Sequence, residues 1–525
     1  MFAPVSIKKV WILSFEFSGL VKVGGLGEAV SLIARELSKR GFDVTVIMPS
    51  HGITLYNFRK IEIECRGSRY GTDGCEYPYN LAILEGFVDD VRILIVKGDS
   101  PATSMVLDSW PPYRYAEEKA CLLARAVRCI AQKLGYPDIV HANDWHSAIA
   151  VALLKIDAEL QGYSLPTIYQ IHLRGSPSYP WHYASEQWCG LRDEPHRVWA
   201  VANHVYEYTR SLWDSCWGNI ECFIVKTIDA IVTVSKSELD LLARDYGSWV
   251  KGKTCYSYNS TSWSLKDVEE SSFKVYGTNK RDEIRWRILR EILQHYGGWG
   301  NIVFNDAEVL VVSSGRLTPQ KGFDTLIQAV KYLPSTVKVV VLGKSVGDKG
   351  YEHYLRTLID EVKGKTFLVI NDVDLKTYQL LIYVAHVYTL PSRYEPFGIS
   401  GIEALALGTP VVVTNVGGLK EYVSDLRYIL TGIGLVVQTD NPVELAFALQ
   451  SLGYLMYYSE TGRGLDKILF KELRDIVLRE PRFGEKLRKL AISYVDMLFR
   501  PQHTVNSILA CYELARQMAY YRAHT

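Results

Sequence analysis

The stretch VWILSFEFSGLVKVGGLGEAVSLIARELSKRGFDVTVIM, residues 10–48, decides the fold class. Val10–Phe15 is a short apolar run of the kind that forms a buried strand. A glycine turn follows, and then an amphipathic segment, Glu28–Lys39, that reads as a helix ended by Gly41. Val44–Met48 is a second strand. Strand, turn, helix and strand in this order make the unit from which a parallel, doubly wound sheet is built.

The same alternation continues along the chain. Further strands are expected at Arg92–Val96, Ile139–His141, Thr167–Ile171 and Ala230–Val234, with a helix between Tyr115 and Leu134. Around Val268–Tyr276 the pattern dissolves into a polar stretch. A charged helix, Lys280–Tyr296, and a loop, Gly297–Gly300, then lead to a new strand at Val309–Ser313. From there the alternation restarts, with helices at Phe323–Tyr332 and Leu375–Val384 and strands at Val337–Leu342, Phe367–Ile370 and Val387–Leu390. A single core stops growing at roughly 250–300 residues, so 525 residues call for two domains. The boundaries read as 1–275, 276–500 and a closing amphipathic helix within 501–525, Gln502–Arg522.

Composition narrows the classes. With 48% hydrophobic and 22% charged residues the chain is no disordered polymer. Lys and Arg total 59 against 58 for Asp and Glu, which argues against a nucleic-acid partner. No run reaches the roughly 18 apolar residues of a membrane span. Val10–Val21 is interrupted by Glu16 and runs into Lys22, unlike a secretory signal. The nine cysteines never form Cys-x-x-Cys, which argues against a disulfide framework or structural zinc and suits a reducing cytoplasm.

Four motifs carry chemistry, each just past a strand. Lys22-Val23-Gly24-Gly25-Leu26-Gly27 lets the backbone approach an anion at a helix start; a ligand-free tight turn is the plain alternative. It fits neither the dinucleotide fingerprint nor an NTPase loop. Arg316 and Lys321, in Gly315–Gly322, form a cationic clamp suited to a diphosphate, or else a solvated surface pair. Pro391–Gly398 places Glu395 at the ligand edge of the sheet, with Glu403 two helical turns on in an apolar helix. Such carboxylates suit sugar hydroxyls, and Glu395 reads equally as a helix cap. In His141–His146, metal ligation lacks a third ligand at the right spacing, whereas Asp144 at a cleft with Trp145 as a sugar platform fits better. His172, at the end of Thr167–Ile171, completes the set and reads alone as a packed residue.

Together and in this order, the motifs resemble the glycogen/starch synthase family, retaining glycosyltransferases of the GT-B fold. The resemblance runs from Val10 to about Tyr428, on Lys22–Leu26 (K-x-G-G-L), Gly315–Gly322 (G-R-L-x-x-Q-K-G) and Glu395–Glu403 (E-x7-E). It implies an α/β protein of two Rossmann-like doubly wound domains facing across a cleft, with the closing helix returning to the first. It implies that Lys22, Gly24 and Gly25 hold the nucleotide side of the donor, and that Arg316 and Lys321 neutralise the departing diphosphate. Glu395 would meet the transferred glucose and Glu403 the ribose, with Phe397 and Gly398 also binding the donor. His172 would stand beside the anomeric carbon, Asp144 would be the acidic residue near it, and Glu16 and Trp145 would face the acceptor.

The implied reaction is a metal-free, cofactor-free transfer of glucose from ADP-glucose or UDP-glucose to an α-1,4-glucan. It would proceed by same-face displacement in the cytoplasm. Two segments depart from the family pattern: Ile171–Ser176 after the histidine, and Asn259–Ser262 before the second domain. Leu452–Lys486 is longer than the shortest relatives need. The alternatives are a related transferase with a small or lipid acceptor, or a non-catalytic glucan-binding relative. Retention of Lys22, His172, Arg316, Lys321, Glu395 and Glu403 argues against the last.

Overall fold

The structure is a computed structural model that describes residues 7–200, 203–369 and 373–524. It divides into two compact units, one running to Asn259 and resuming at Pro501, the other Ser260–Arg500. The division falls at Asn259 rather than after residue 275. The reason is packing: Leu265–Tyr276 is a helix, not a polar linker, and lies on helix Leu375–Val384 of the second unit. Just before that helix, the Trp263 ring meets Tyr378 edge-on at 5.4 Å.

In the first unit seven parallel strands form the centre of the sheet. In chain order they are Lys9–Leu13, Asp43–Pro49, Val91–Gly98, Ile139–Asn143, Thr167–Ile171, Ala230–Thr233 and Thr254–Tyr256. Their spatial order is 3-2-1-4-5-6-7, so the winding reverses between the first and the fourth. Both faces are covered, and the strands therefore read as continuous apolar runs. Val10 and Ile12 face one core with helix Gly25–Lys39, while Trp11 and Leu13 face another with helices Ala116–Leu134 and Trp145–Leu160. An antiparallel extension, Arg59–Lys60, Arg66–Tyr70 and Glu76–Val88, lengthens the edge beyond Val91–Gly98.

Helix Pro501–His524 completes the first core: Val505, Ile508, Tyr512 and Ala515 are buried among Val10, Ile12 and Val232. Arg522 near its end is 4% exposed and binds Asp229 through Nε and Nη2, at 2.9 and 3.0 Å.

The second unit repeats the winding. Strands Val309–Arg316, Val337–Lys344, Lys365–Val369, Val387–Leu390, Val411–Thr414 and Gly434–Val437 lie in the order 3-2-1-4-5-6. The expected strand end at Ile370 falls outside the described residues. Of the stretch expected as a loop, Gly297–Gly300, all but Gly297 is instead part of strand Gly298–Ile302, antiparallel to Lys365–Val369. Within Leu452–Lys486, the end of helix Pro442–Thr461 and helix Lys471–Arg479 bury Leu452, Leu455, Leu473 and Val477 in this unit's core.

The expectation on cysteines is corrected. Disulfides join Cys65 to Cys129, Cys121 to Cys189 and Cys216 to Cys222. The first two close over 64 and 68 residues, a pairing that local spacing does not reveal. They tie the antiparallel extension and the Trp188 segment to opposite ends of helix Ala116–Leu134. No helix of the structure is long and apolar enough to cross a membrane, among the described residues.

Candidate active site

In open α/β sheets ligands bind outside the carboxyl ends of the strands where the winding reverses. In the first unit those ends are Leu13 and Asn143, and in the second Arg316 and Leu390. All four motifs lie at or near this edge of their own sheets.

After Leu13 the chain turns back on itself at Phe17–Val21 and enters helix Gly25–Lys39 through Gly24, with no side-chain cap. Glu16 lies beneath this loop and is 2% exposed. Its Oε2 accepts the backbone N–H of Val23 at 2.7 Å and of Gly24 at 3.1 Å, and its Oε1 accepts the Tyr113 hydroxyl. Gly27 leaves room for that carboxylate, because a Cβ there would stand 3.2 Å from Glu16 Oε2. Lys22 Nζ pairs with Glu28 Oε2 at 2.7 Å, in the first turn of the helix. A Cβ on Gly24 would meet nothing within 4 Å.

After Asn143 the chain takes a positive φ of 55° at Asp144 and starts helix Trp145–Leu160. Asp144 Oδ1 accepts the backbone N–H groups of His172 at 2.7 Å and Leu173 at 3.3 Å, which ties the fourth strand's end to the fifth's. Burial raises the Asp144 carboxyl to about 7 against these bonds, with the negative charges of Glu16 and Glu221 adding to the rise. The His172 ring is fixed by Asn143, whose Nδ2 donates to the carbonyl of Leu13 and whose Oδ1 lies 2.9 Å from His172 Nε2. With Oδ1 as the acceptor, Nε2 carries the proton and Nδ1 keeps a lone pair. Burial, and then His141, holds His172 neutral, down to about 3. Trp145 is half-buried against the core, its ring 4.1 Å from that of His146.

In the second unit Gly322 takes a φ of 64°, and a Cβ there would stand 2.0 Å from the Pro391 carbonyl. That close approach brings the loops after Arg316 and Leu390 together. Arg393 N donates to Gln320 O at 2.8 Å, and Gln320 Nε2 to Tyr394 O at 2.9 Å. Lys321 Nζ then meets Glu395 Oε2 at 2.5 Å, and Ser392 Oγ donates to the same oxygen at 3.1 Å. Gly417 packs against the Glu395 carbonyl, where a Cβ would lie 1.9 Å away. The Arg316 guanidinium has no ion-pair partner among the described residues.

The expected two-cation clamp is thus asymmetric: one cation carries its own carboxylate and the other does not. Glu403, 6% exposed in helix Ile399–Ala406, lies near Tyr378 and Tyr388, whose hydroxyls burial pushes up, with the Glu403 charge adding to the rise. Phe397 is 2% exposed and its ring packs on Tyr422 and Phe499, so the ring faces the core. Gly398, at φ 92°, caps the helix that carries Glu403.

Two residues of the first unit's site were not singled out from the sequence. Asn143 stood inside the His141–His146 segment, and its amide at a strand's carboxyl end was the available signal. Tyr113 lies 97 residues from Glu16 and offered none. Among the described residues no three His, Cys, Asp or Glu side chains group as a metal site.

Residues 9–251 match the family model described as the starch synthase catalytic domain, and residues 301–453 match glycosyl transferases group 1. A Thermotoga maritima protein named glycogen synthase is 27% identical over 439 residues, covering 79% of this chain and 85% of that one. A Clostridium kluyveri protein of the same name is 25% identical over 445 residues, with the same coverage.

Among solved structures, the catalytic domain of starch synthase IV from Arabidopsis thaliana, bound to ADP and acarbose, aligns with a TM-score of 0.70 at 18% identity. It covers 98% of this chain and 100% of that one. Sucrose-phosphate synthase from Thermosynechococcus elongatus aligns at 0.59 and 19%, over 96% and 98%. These likenesses establish the GT-B fold, and with the family matches and the named relatives the chain belongs to the glycogen/starch synthase family of glycosyltransferases.

Proposed function

We propose that the protein is a glycogen (starch) synthase. It transfers glucose with retention from ADP-glucose or UDP-glucose to the non-reducing end of an α-1,4-glucan. The observation that carries this reading is the match to relatives named glycogen synthase over 79% of the chain, with the motif residues standing where the winding reverses. Arg316 and Lys321 stabilise the diphosphate as its charge develops, which is the largest electrostatic demand of such a transfer. Glu395 binds hydroxyls of the glucose while its carboxylate orients Lys321, and Glu403 binds the ribose. In the first unit Lys22, Gly24 and Gly25 meet the donor. Asp144 acts as a strut that fixes His172, whose neutral ring offers a hydrogen-bonding edge to the sugar rather than a charge. Trp145 lines the acceptor side. Neither a metal nor a cofactor is needed for these roles.

The test is a paired transfer assay with labelled ADP-glucose or UDP-glucose and glycogen, followed by digestion with an α-1,4-specific glucosidase. Label that enters glycogen and is released by the digestion supports the reading and names the donor. Nucleotide binding without incorporation points to another acceptor, and absence of binding by either donor overturns the reading.

A further inference from the structure

The family resemblance turns Glu16 towards the acceptor, but the geometry of its carboxylate points elsewhere. A carboxylate offers about four lone-pair directions. Three of them are taken here, by the Val23 and Gly24 amides and the Tyr113 hydroxyl, and the side chain is 2% exposed. A sugar hydroxyl could reach the remaining lone pair only by opening the loop that buries it. Two of these bonds run to the loop around Lys22, and the third runs to Tyr113.

Tyr113 is itself anchored. Lys119 Nζ donates to the carbonyls of Ser109 and Pro112 at 2.8 and 3.0 Å, and lies 3.1 Å from His51 Nδ1. His51 Nε2 in turn lies 2.9 Å from the carbonyl of Phe15, the residue before Glu16. The Tyr113 and Phe15 rings stack with centroids 6.2 Å apart. The carboxylate is therefore held from the core side and holds the loop from beneath. Glu28 fixes the Lys22 ammonium from the helix side. Between these two carboxylates the backbone from Lys22 to Gly24 has a defined path, and helix Gly25–Lys39 begins without a side-chain cap.

We propose that Glu16 is a positioning residue for the nucleotide-sugar donor. By binding the Val23 and Gly24 amides it sets where Lys22 and the first turn of the helix present their positive ends to the diphosphate. The Val23 and Gly24 amides are spent inside the loop, so the donor is met by the lysine, the open Cα side of Gly24 and the helix start. The inference rests on the synthase reading for the identity of the ligand.

The experiment is calorimetric titration of ADP and of UDP into the full-length protein, with donor and acceptor KM measured in parallel. Glu16→Ala should weaken binding of the preferred nucleotide and raise the donor KM about tenfold or more, as small misplacements of binding groups do, while the acceptor KM stays put. Glu16→Gln keeps an oxygen for the two amides and an N–H for the Tyr113 oxygen, so it should recover most of the lost affinity. Tyr113→Phe, which removes one hydroxyl and no volume, should weaken nucleotide binding less than Glu16→Ala, and it serves if the alanine variant does not fold. A raised acceptor KM with unchanged nucleotide affinity in Glu16→Ala would overturn the inference. So would Glu16→Gln behaving like Glu16→Ala, or Tyr113→Phe binding like wild type. Wild-type protein that binds neither nucleotide overturns both this inference and the synthase reading, whereas wild-type binding with indifferent variants overturns this inference alone.

Discussion

Lys321 Nζ lies 2.5 Å from Glu395 Oε2, so the cation assigned to the diphosphate and the carboxylate assigned to the glucose are one ion pair. Both side chains are largely buried, at 19% and 9% exposure, and removing either partner leaves the other uncompensated. Lys321→Ala should lower turnover by roughly 10²–10³. Glu395→Gln should abolish most transfer with nucleotide affinity kept. The double variant should lose less than the sum of the single losses, with a coupling of about 0.5–3 kcal/mol. A double-mutant cycle on kcat/KM checks this, and strictly additive losses would show that the two groups act separately.

The joint between the loops after Arg316 and Leu390 in the second unit depends on Gly322. At φ 64° and with the Pro391 carbonyl 2.0 Å from the position a Cβ would take, no side chain fits without moving a loop. Gly322→Ala should cost about 2–4 kcal/mol of stability and displace Lys321 as well. Urea unfolding and the donor KM should both shift, and a variant that melts and turns over like wild type refutes the argument.

Asp144 should leave a signature in the pH dependence of stability. Its folded-state value, raised to about 7 by burial, lies above the ordinary carboxylate value. Between the two values the folded state binds the proton more tightly than the unfolded chain. Its contribution is thus fully present at low pH and is lost as pH rises from about 4 to 7, staying flat above. Asp144→Asn keeps an oxygen for the His172 and Leu173 amides and removes the titration. Denaturant midpoints measured from pH 4 to 8 should fall less steeply in Asp144→Asn, and parallel curves would count against it.

Arg522 closes the first unit through Asp229, with further bonds to Glu159 and to the carbonyl of Leu165 at 2.9 Å. Arg522→Ala leaves Asp229, 3% exposed, with only Thr167 and nearby lysines to answer its charge. The expected cost is about 3–5 kcal/mol. Nucleotide-independent unfolding followed by circular dichroism measures it, and a loss below about 1 kcal/mol would class the pair as a surface bridge.

What could be read without coordinates was whatever repeats locally. The apolar strands of both sheets and the amphipathic helices follow from periodicity over a dozen residues. The chemistry-bearing loops follow because they sit immediately after those strands. Long-range pairings were out of reach. Glu16 finds Tyr113 across 97 positions and Lys321 finds Glu395 across 74, and no spacing rule links them. The same limit hid the Cys65–Cys129 and Cys121–Cys189 bonds. Strand Gly298–Ile302 read as a loop because its glycines mask a β pattern that pairing with Lys365–Val369 imposes. Phe397 looked like part of a ligand loop, yet its ring turns inward to Tyr422.

The return of helix Pro501–His524 to the first core inverts the order in which the molecule can be built. A chain emerging from the ribosome displays the strands of the first unit early. That unit still lacks Val505, Ile508 and Tyr512 until helix Pro501–His524 is released. The second unit, contained within Ser260–Arg500, has its whole core available sooner. The half that is synthesised first is therefore the half that is finished last, and until then it is the one exposing apolar strand to other chains.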